Sequence, residues 1–270
     1  MGGPERPEAW PAFVGTWLAL ASLALVAVAD VGAFVPWAAA AATVSTGVGA
    51  AAVWRPWRSS FPGLTCGGAF AGAVLLVATI LVAPGSENVV GGRDPGVYAA
   101  TGLALAQHRG LLFEDPALRR LGGELNSESS NDWLFRSIHQ HALRFPGQFF
   151  VRDLHAGVVE PGFLPVVPAW MALAARLGGL EWLLHVSGAF GVIALAYTML
   201  AARASFRGGW LIAGGLLAIS FPQLWWAREP MAESALGAFA WIAAWAAARW
   251  WDGAGWRWSL MAALGLRPPS

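Results

Sequence analysis

The chain has no lysine, one cysteine and two tyrosines, and only 12% of its 270 residues are charged. Each scarcity excludes something. A single cysteine, Cys66, allows neither an internal disulfide nor a cysteine-based metal cluster. A soluble domain carries about 25% charged residues, so this chain is too poor in charge to clothe a soluble surface. The net charge of +1 gives no purchase on nucleic acid. No phosphate-cradling glycine loop and no nucleophile elbow is present, and Gly91-Gly92 alone makes neither. The missing lysine, with abundant alanine, glycine, proline and tryptophan, reads as a GC-rich coding bias and carries no functional message.

What is present is apolar: 57% hydrophobic residues and a mean hydropathy of +0.53. The apolar residues come in bilayer-length runs separated by arginine-bearing loops, the pattern of a multi-pass membrane protein. The expected fold is all-α, a polytopic bundle of about six transmembrane helices. Residues 1–83 hold three of them, at Ala12–Ala29, Val31–Trp54 and Leu64–Ala83. Residues 84–179 form an extracytoplasmic loop with amphipathic or interfacial helices. Residues 180–258 hold three more, at Glu181–Ala202, Gly208–Trp226 and Met231–Ala248, with a second outer loop at 227–233. Residues 259–270 read as the start of a further helix, about half the length a span needs, so a C-terminal half or partner subunit is expected.

Orientation follows from the arginines, which favour the cytoplasmic side. With Pro161–Gly179 kept out of the count of spans, Arg55, Arg58, Arg203, Arg207, Arg249 and Arg257 all fall on one side. Making that segment a span would place four of them outside. Many of the 17 tryptophans lie near the ends of apolar runs, where interfacial belts account for them without a ligand.

The chemistry-bearing residues cluster in the outer loops. Arg93-Asp94-Pro95 follows the third span. A carboxylate there can act as a general base on a hydroxyl or hold a divalent cation through oxygen; it can also do no more than cap the helix that Pro95 opens. In Arg228-Glu229-Pro230-Met231-Ala232-Glu233, the two acids share a face if a helix starts near Pro230. They then form a second acidic wall opposite Asp94, or simply complement the helix dipole. Glu160-Pro161-Gly162 either closes the same cavity or is a plain turn. His139 and His141 have no metal-ligand spacing.

The order of elements over residues 64–258 resembles the N-terminal half of the C superfamily of membrane glycosyltransferases, in its protein O-mannosyltransferase and aminoarabinose-transferase branch. The stretches that carry the likeness are RDPGVYAATGLALAQHRGLL, EPGFLPVVPAWMALAARLGG and SFPQLWWAREPMAESALGAFAWIAAWAA. The resemblance implies a polyprenyl-phosphate-linked sugar as donor, used on the extracytoplasmic face of the cell membrane. It implies Asp94 as base or metal ligand and Glu229 as the acid of the second outer loop. Arg93, Tyr98, Glu160, Arg228 and Glu233 would contact the substrate or the donor phosphate. Relatives carry a second acid or an aromatic after the first acid, whereas Pro95 follows here.

Two rivals stand beside this reading. Transporters place ionisable groups at mid-membrane in broken helices, whereas the span interiors here are nearly free of charge. A non-catalytic scaffold that binds lipid or a partner subunit fits the same composition.

Overall fold

The computed structural model describes residues 8–55, 66–86, 94–125, 143–145, 149–153, 155–205 and 208–266. Arg93, Arg58, Arg207, His139, His141 and Asn126–Asp132 lie outside the described residues. The protein is mainly helical. Helices α1 (Ala9–Asp30), α2 (Pro36–Trp54) and α3 (Cys66–Val82) come first, followed by α4 (Asp94–His108). Strand β1 (Phe113–Glu114), helix α5 (Pro116–Leu125) and strands β2 (Leu143–Phe145), β3 (Phe149–Asp153) and β4 (Val158–Pro161) make up the segment after α4. Then come α6 (Val166–Gly178), α7 (Leu180–Leu184), α8 (Val186–Ser205), α9 (Gly209–Ala218), α10 (Phe221–Arg228), α11 (Glu233–Trp251) and α12 (Trp256–Leu266).

Three helices are long and apolar enough to cross a membrane: α1, α2 and the α7–α8 unit Leu180–Ser205, with α9 and α10 a fourth if the pair counts as one span. That pair is bent by 57°. Ser220 and Pro222 mark the break, proline sitting in the first turn of α10 where its missing N–H costs nothing. α3 is apolar but has 17 residues. α11 is long enough at 19 residues, but Glu233, Arg249 and four tryptophans lower its hydropathy. α6 has 13 residues, about 20 Å, too short to cross a ~30 Å hydrocarbon core.

Contacts orient the helices. Glu8 before α1 pairs with Arg249 near the end of α11 at 2.8 Å. Arg257 donates to the Val53 carbonyl at the end of α2, at 3.1 Å. These groups define one end of the bundle. At the other end the Ser187 hydroxyl, on the first turn of α8, accepts from the Met231 N–H and donates to its carbonyl. α8 and α11 therefore start together and run parallel, both ending at the arginine-bearing end. Exposed tryptophans mark both levels, Trp37, Trp225 and Trp226 at one and Trp250, Trp251 and Trp256 at the other, as interfacial belts do.

Small residues set the packing. Between lipid-soluble helices there is no water to expel, so close backbone approach and dispersion hold them together. α8 meets α11 through Ala194, Ala235 and Ala238, all buried. Around them Tyr197, Trp245 and Trp258 stack in sequence, Trp245 and Trp258 edge-on at 4.9 Å. The Trp170 N–H on α6 donates to the Ser22 hydroxyl on α1, at 2.8 Å. α2 packs mainly on α1 and turns most of its surface outward.

The segment after α4 is not wholly helical, which adds a small sheet to the all-α expectation. Its four antiparallel strands run in the order β1-β4-β3-β2. Val159 lies between Phe113 and Val151 and is buried with Leu118 and Phe149. That sheet packs on Ala100 and Ala104 of α4. The other face of α4 lies on α6, where an added Cβ at Gly102 would stand 2.8 Å from the Met171 Cβ. α4 is thus covered on two sides.

Candidate active site

Asp94 is the first residue of α4 and is exposed. Its charge sits at the positive end of the helix, which favours it. Tyr98 is one turn on and so projects from the same face; it is buried. Its ring stacks on Phe163, with centroids 5.0 Å apart and planes 18° apart. Burial, then the carboxylate of Glu233, then that of Asp94 push the Tyr98 phenol up from its ordinary pKa of 10. The two acids therefore act on one hydroxyl, and that hydroxyl stays protonated at neutral pH. Glu233 opens α11, again at a positive helix end, and its Oε2 is buried with no hydrogen-bond partner among the described residues. So are the hydroxyls of Thr101, one turn beyond Tyr98, and Ser234, next to Glu233.

Glu229 behaves differently from the expectation. The helix begins at Glu233, not near Pro230, and Glu229 is in extended conformation (φ −85°, ψ 140°) at the end of α10. The two acids are therefore not neighbours on one helical face. Proline 230 ends one helix, and the turn after it delays the next. Glu229 is buried, and its carbonyl accepts from the Met231 N–H at 2.7 Å.

Arg228 is an anchor between segments. Its Nε donates to the Pro84 carbonyl at 2.9 Å, and its own carbonyl accepts from the Ser86 N–H at 2.7 Å. This ties the exit of α3 to the end of α10. Glu160 forms a two-pronged pair with Arg152, with Nη2 donating to Oε1 at 2.8 Å and Nε to Oε2. Arg152 is the extra residue of a β-bulge, because Val151 faces Val159 while Asp153 faces Val158. A bulge re-aims the side chain it carries. Glu160 and Phe163 both line a cavity of about 760 Å³ beside the outer end of α1. Phe163 thus stands between that cavity and Tyr98.

The structure therefore sets Asp94 and Glu233 within electrostatic reach of Tyr98 and gives Glu160 and Arg228 partners of their own. Sequence reasoning did not single out Arg152 or the Phe163 ring. The run Phe149-Phe150-Val151 and the turn at His155-Ala156-Gly157 were the available signal for a hairpin there. Among the described residues no group of three or more His, Cys, Asp and Glu side chains is placed to hold a metal ion. Comparison with family models, with curated proteins and with solved structures finds no match.

Proposed function

We propose that the chain is a membrane glycosyltransferase of the C superfamily type, taking a sugar from a polyprenyl-phosphate donor on the extracytoplasmic face of the cell membrane. The observation that carries the reading is that Asp94 and Glu233, each in the first turn of a helix, lie within electrostatic reach of Tyr98, at the bundle end opposite the arginines. The reading includes six spans, formed by α1, α2, α3, α7–α8, α9–α10 and α11, with α6 held outside the membrane core.

In this reading Asp94, exposed at a helix start, takes the proton of the acceptor hydroxyl. The acceptor oxygen then bonds to the anomeric carbon as the bond from that carbon to the phosphate oxygen breaks. Tyr98, still protonated, donates a hydrogen bond and orients the reacting oxygen. Two carboxylates repel a phosphate, so these residues belong to the acceptor side of the reaction. The donor phosphate is better met by the guanidinium of Arg228, which is exposed. The prenyl chain needs only apolar surface.

The test is release of polyprenyl phosphate from a panel of polyprenyl-phosphate sugars by the chain in membranes. Asp94→Asn keeps shape and removes the base; a slowing of about 10²-fold or more is expected. If the wild type releases nothing from any donor, or Asp94→Asn matches it, Asp94 is only a helix-start acid and the chain is a membrane scaffold.

A further inference from the structure

The cavity beside α1 has no task in the reaction just described. On one side it is walled by Leu23, Val26 and Ala27 of the last turns of α1, and on the other by Leu112, Phe150 and Leu164. Its mouth is apolar as well, since Leu23, Leu112 and Leu164 remain 39%, 58% and 55% exposed. A volume of about 760 Å³ is in the range of cavities that hold one small-molecule ligand, about 300–1,000 Å³. A water-soluble ligand of that size would find few polar partners on these walls.

Depth and charge identify the occupant. α1 is a 22-residue helix apolar enough to cross a membrane, so Asp30 at its end lies at the level of lipid head groups. Leu23 is seven residues, about 10 Å, deeper. The cavity therefore runs from head-group level into the acyl region. At its upper edge stand Asp30 and Glu160. Glu160 is neutralised by Arg152, whereas Asp30 has no partner among the described residues. The rim thus carries one uncompensated negative charge beside a guanidinium.

We propose that this cavity takes one of the two acyl chains of a phospholipid with an amine-bearing head group, that chain against Leu23, Val26 and Ala27 and the ammonium at Asp30. A purely anionic head group would meet Asp30 with repulsion. The inference does not rest on the transferase reading, and either can fail alone.

The experiment is native mass spectrometry of the full chain, freed of lipid in detergent and then given phosphatidylethanolamine or phosphatidylglycerol of matched chains. One retained phosphatidylethanolamine is expected, with about fivefold higher occupancy than phosphatidylglycerol, as one head-group charge gives. Ala27→Trp, which puts a ring into the cavity from an exposed position, should remove the adduct. Val44→Trp, on the outward face of α2, should leave it. Asp30→Asn should erase the preference for the amine while keeping a bound lipid. An adduct that survives Ala27→Trp is annular lipid and overturns the site. Equal occupancy by the two lipids in the wild type overturns the head-group assignment.

Discussion

Replacing Gly102 with alanine tests the contact on which the position of Tyr98 depends. Gly102 lies one turn beyond Tyr98 on α4, buried against α6. A new Cβ would stand 2.8 Å from the Met171 Cβ and 3.4 Å from the Pro168 carbonyl oxygen. Carbon atoms rest at about 3.5–4.0 Å, so α4 must retreat by roughly 1 Å or the core must strain. Met171 is fully buried and its Cβ is fixed to the backbone, so it cannot turn away. Overpacking of this kind costs about 1–3 kcal/mol. Against it stands the helical gain of alanine over glycine, about 0.5–1 kcal/mol. The net expectation is a loss of about 0–2.5 kcal/mol. Gly49→Ala in α2, where nothing lies within 4 Å, serves as control and should be neutral or stabilising. The assay is unfolding in detergent followed by circular dichroism, with transfer rate measured alongside. A shift of 1 Å at a reacting group costs up to about 10²-fold in rate, so activity should fall further than stability. If Gly102→Ala is as stable as the control, α4 and α6 are not in the contact described, and the placement of Tyr98 fails with it.

Two other outcomes follow from the same geometry. Glu233→Gln removes a negative neighbour of the Tyr98 phenol, which stabilises the phenolate, so Tyr98 should titrate at lower pH than in the wild type. With only two tyrosines in the chain, carbon-13 NMR of the ring in a Tyr197→Phe background reads Tyr98 alone, and an unmoved titration would separate Glu233 from it. Trp170→Phe keeps the ring packing and loses the 2.8 Å bond to Ser22, so unfolding should become easier by about 0.6–1 kcal/mol; no change would mean that the α1–α6 contact is held by packing alone.

The sequence signalled its parts unequally, for physical reasons. Length and hydropathy alone mark α1, α2 and α8. The i, i+4 spacing that sets Asp94 and Tyr98 on one helical face lies in the sequence, but only the resemblance drew Tyr98 into the site. The face proposed for Glu229 and Glu233 failed because a proline permits a helix start without fixing its position; here two further residues, Met231 and Ala232, intervene. The break after Ala218 was written in Ser220-Phe221-Pro222, but an apolar average over Gly208–Trp226 hides it. The sheet was hidden because its strands are short and lie within a polar stretch. The cavity beside α1 could not be read at all, since it depends on how Phe163 and Leu164 settle against a helix more than 130 residues earlier.

The bend between α9 and α10 also bears on the surrounding bilayer. With α9 along the membrane normal, its 10 residues rise about 15 Å. The 8 residues of α10, tilted by 57°, add roughly 6–7 Å. On the six-span reading this bent pair is short of a ~30 Å hydrocarbon core by roughly 8 Å, and lipid answers such a mismatch by thinning. The membrane should therefore dip beside Arg228, so that a head group there sits deeper than elsewhere around the protein.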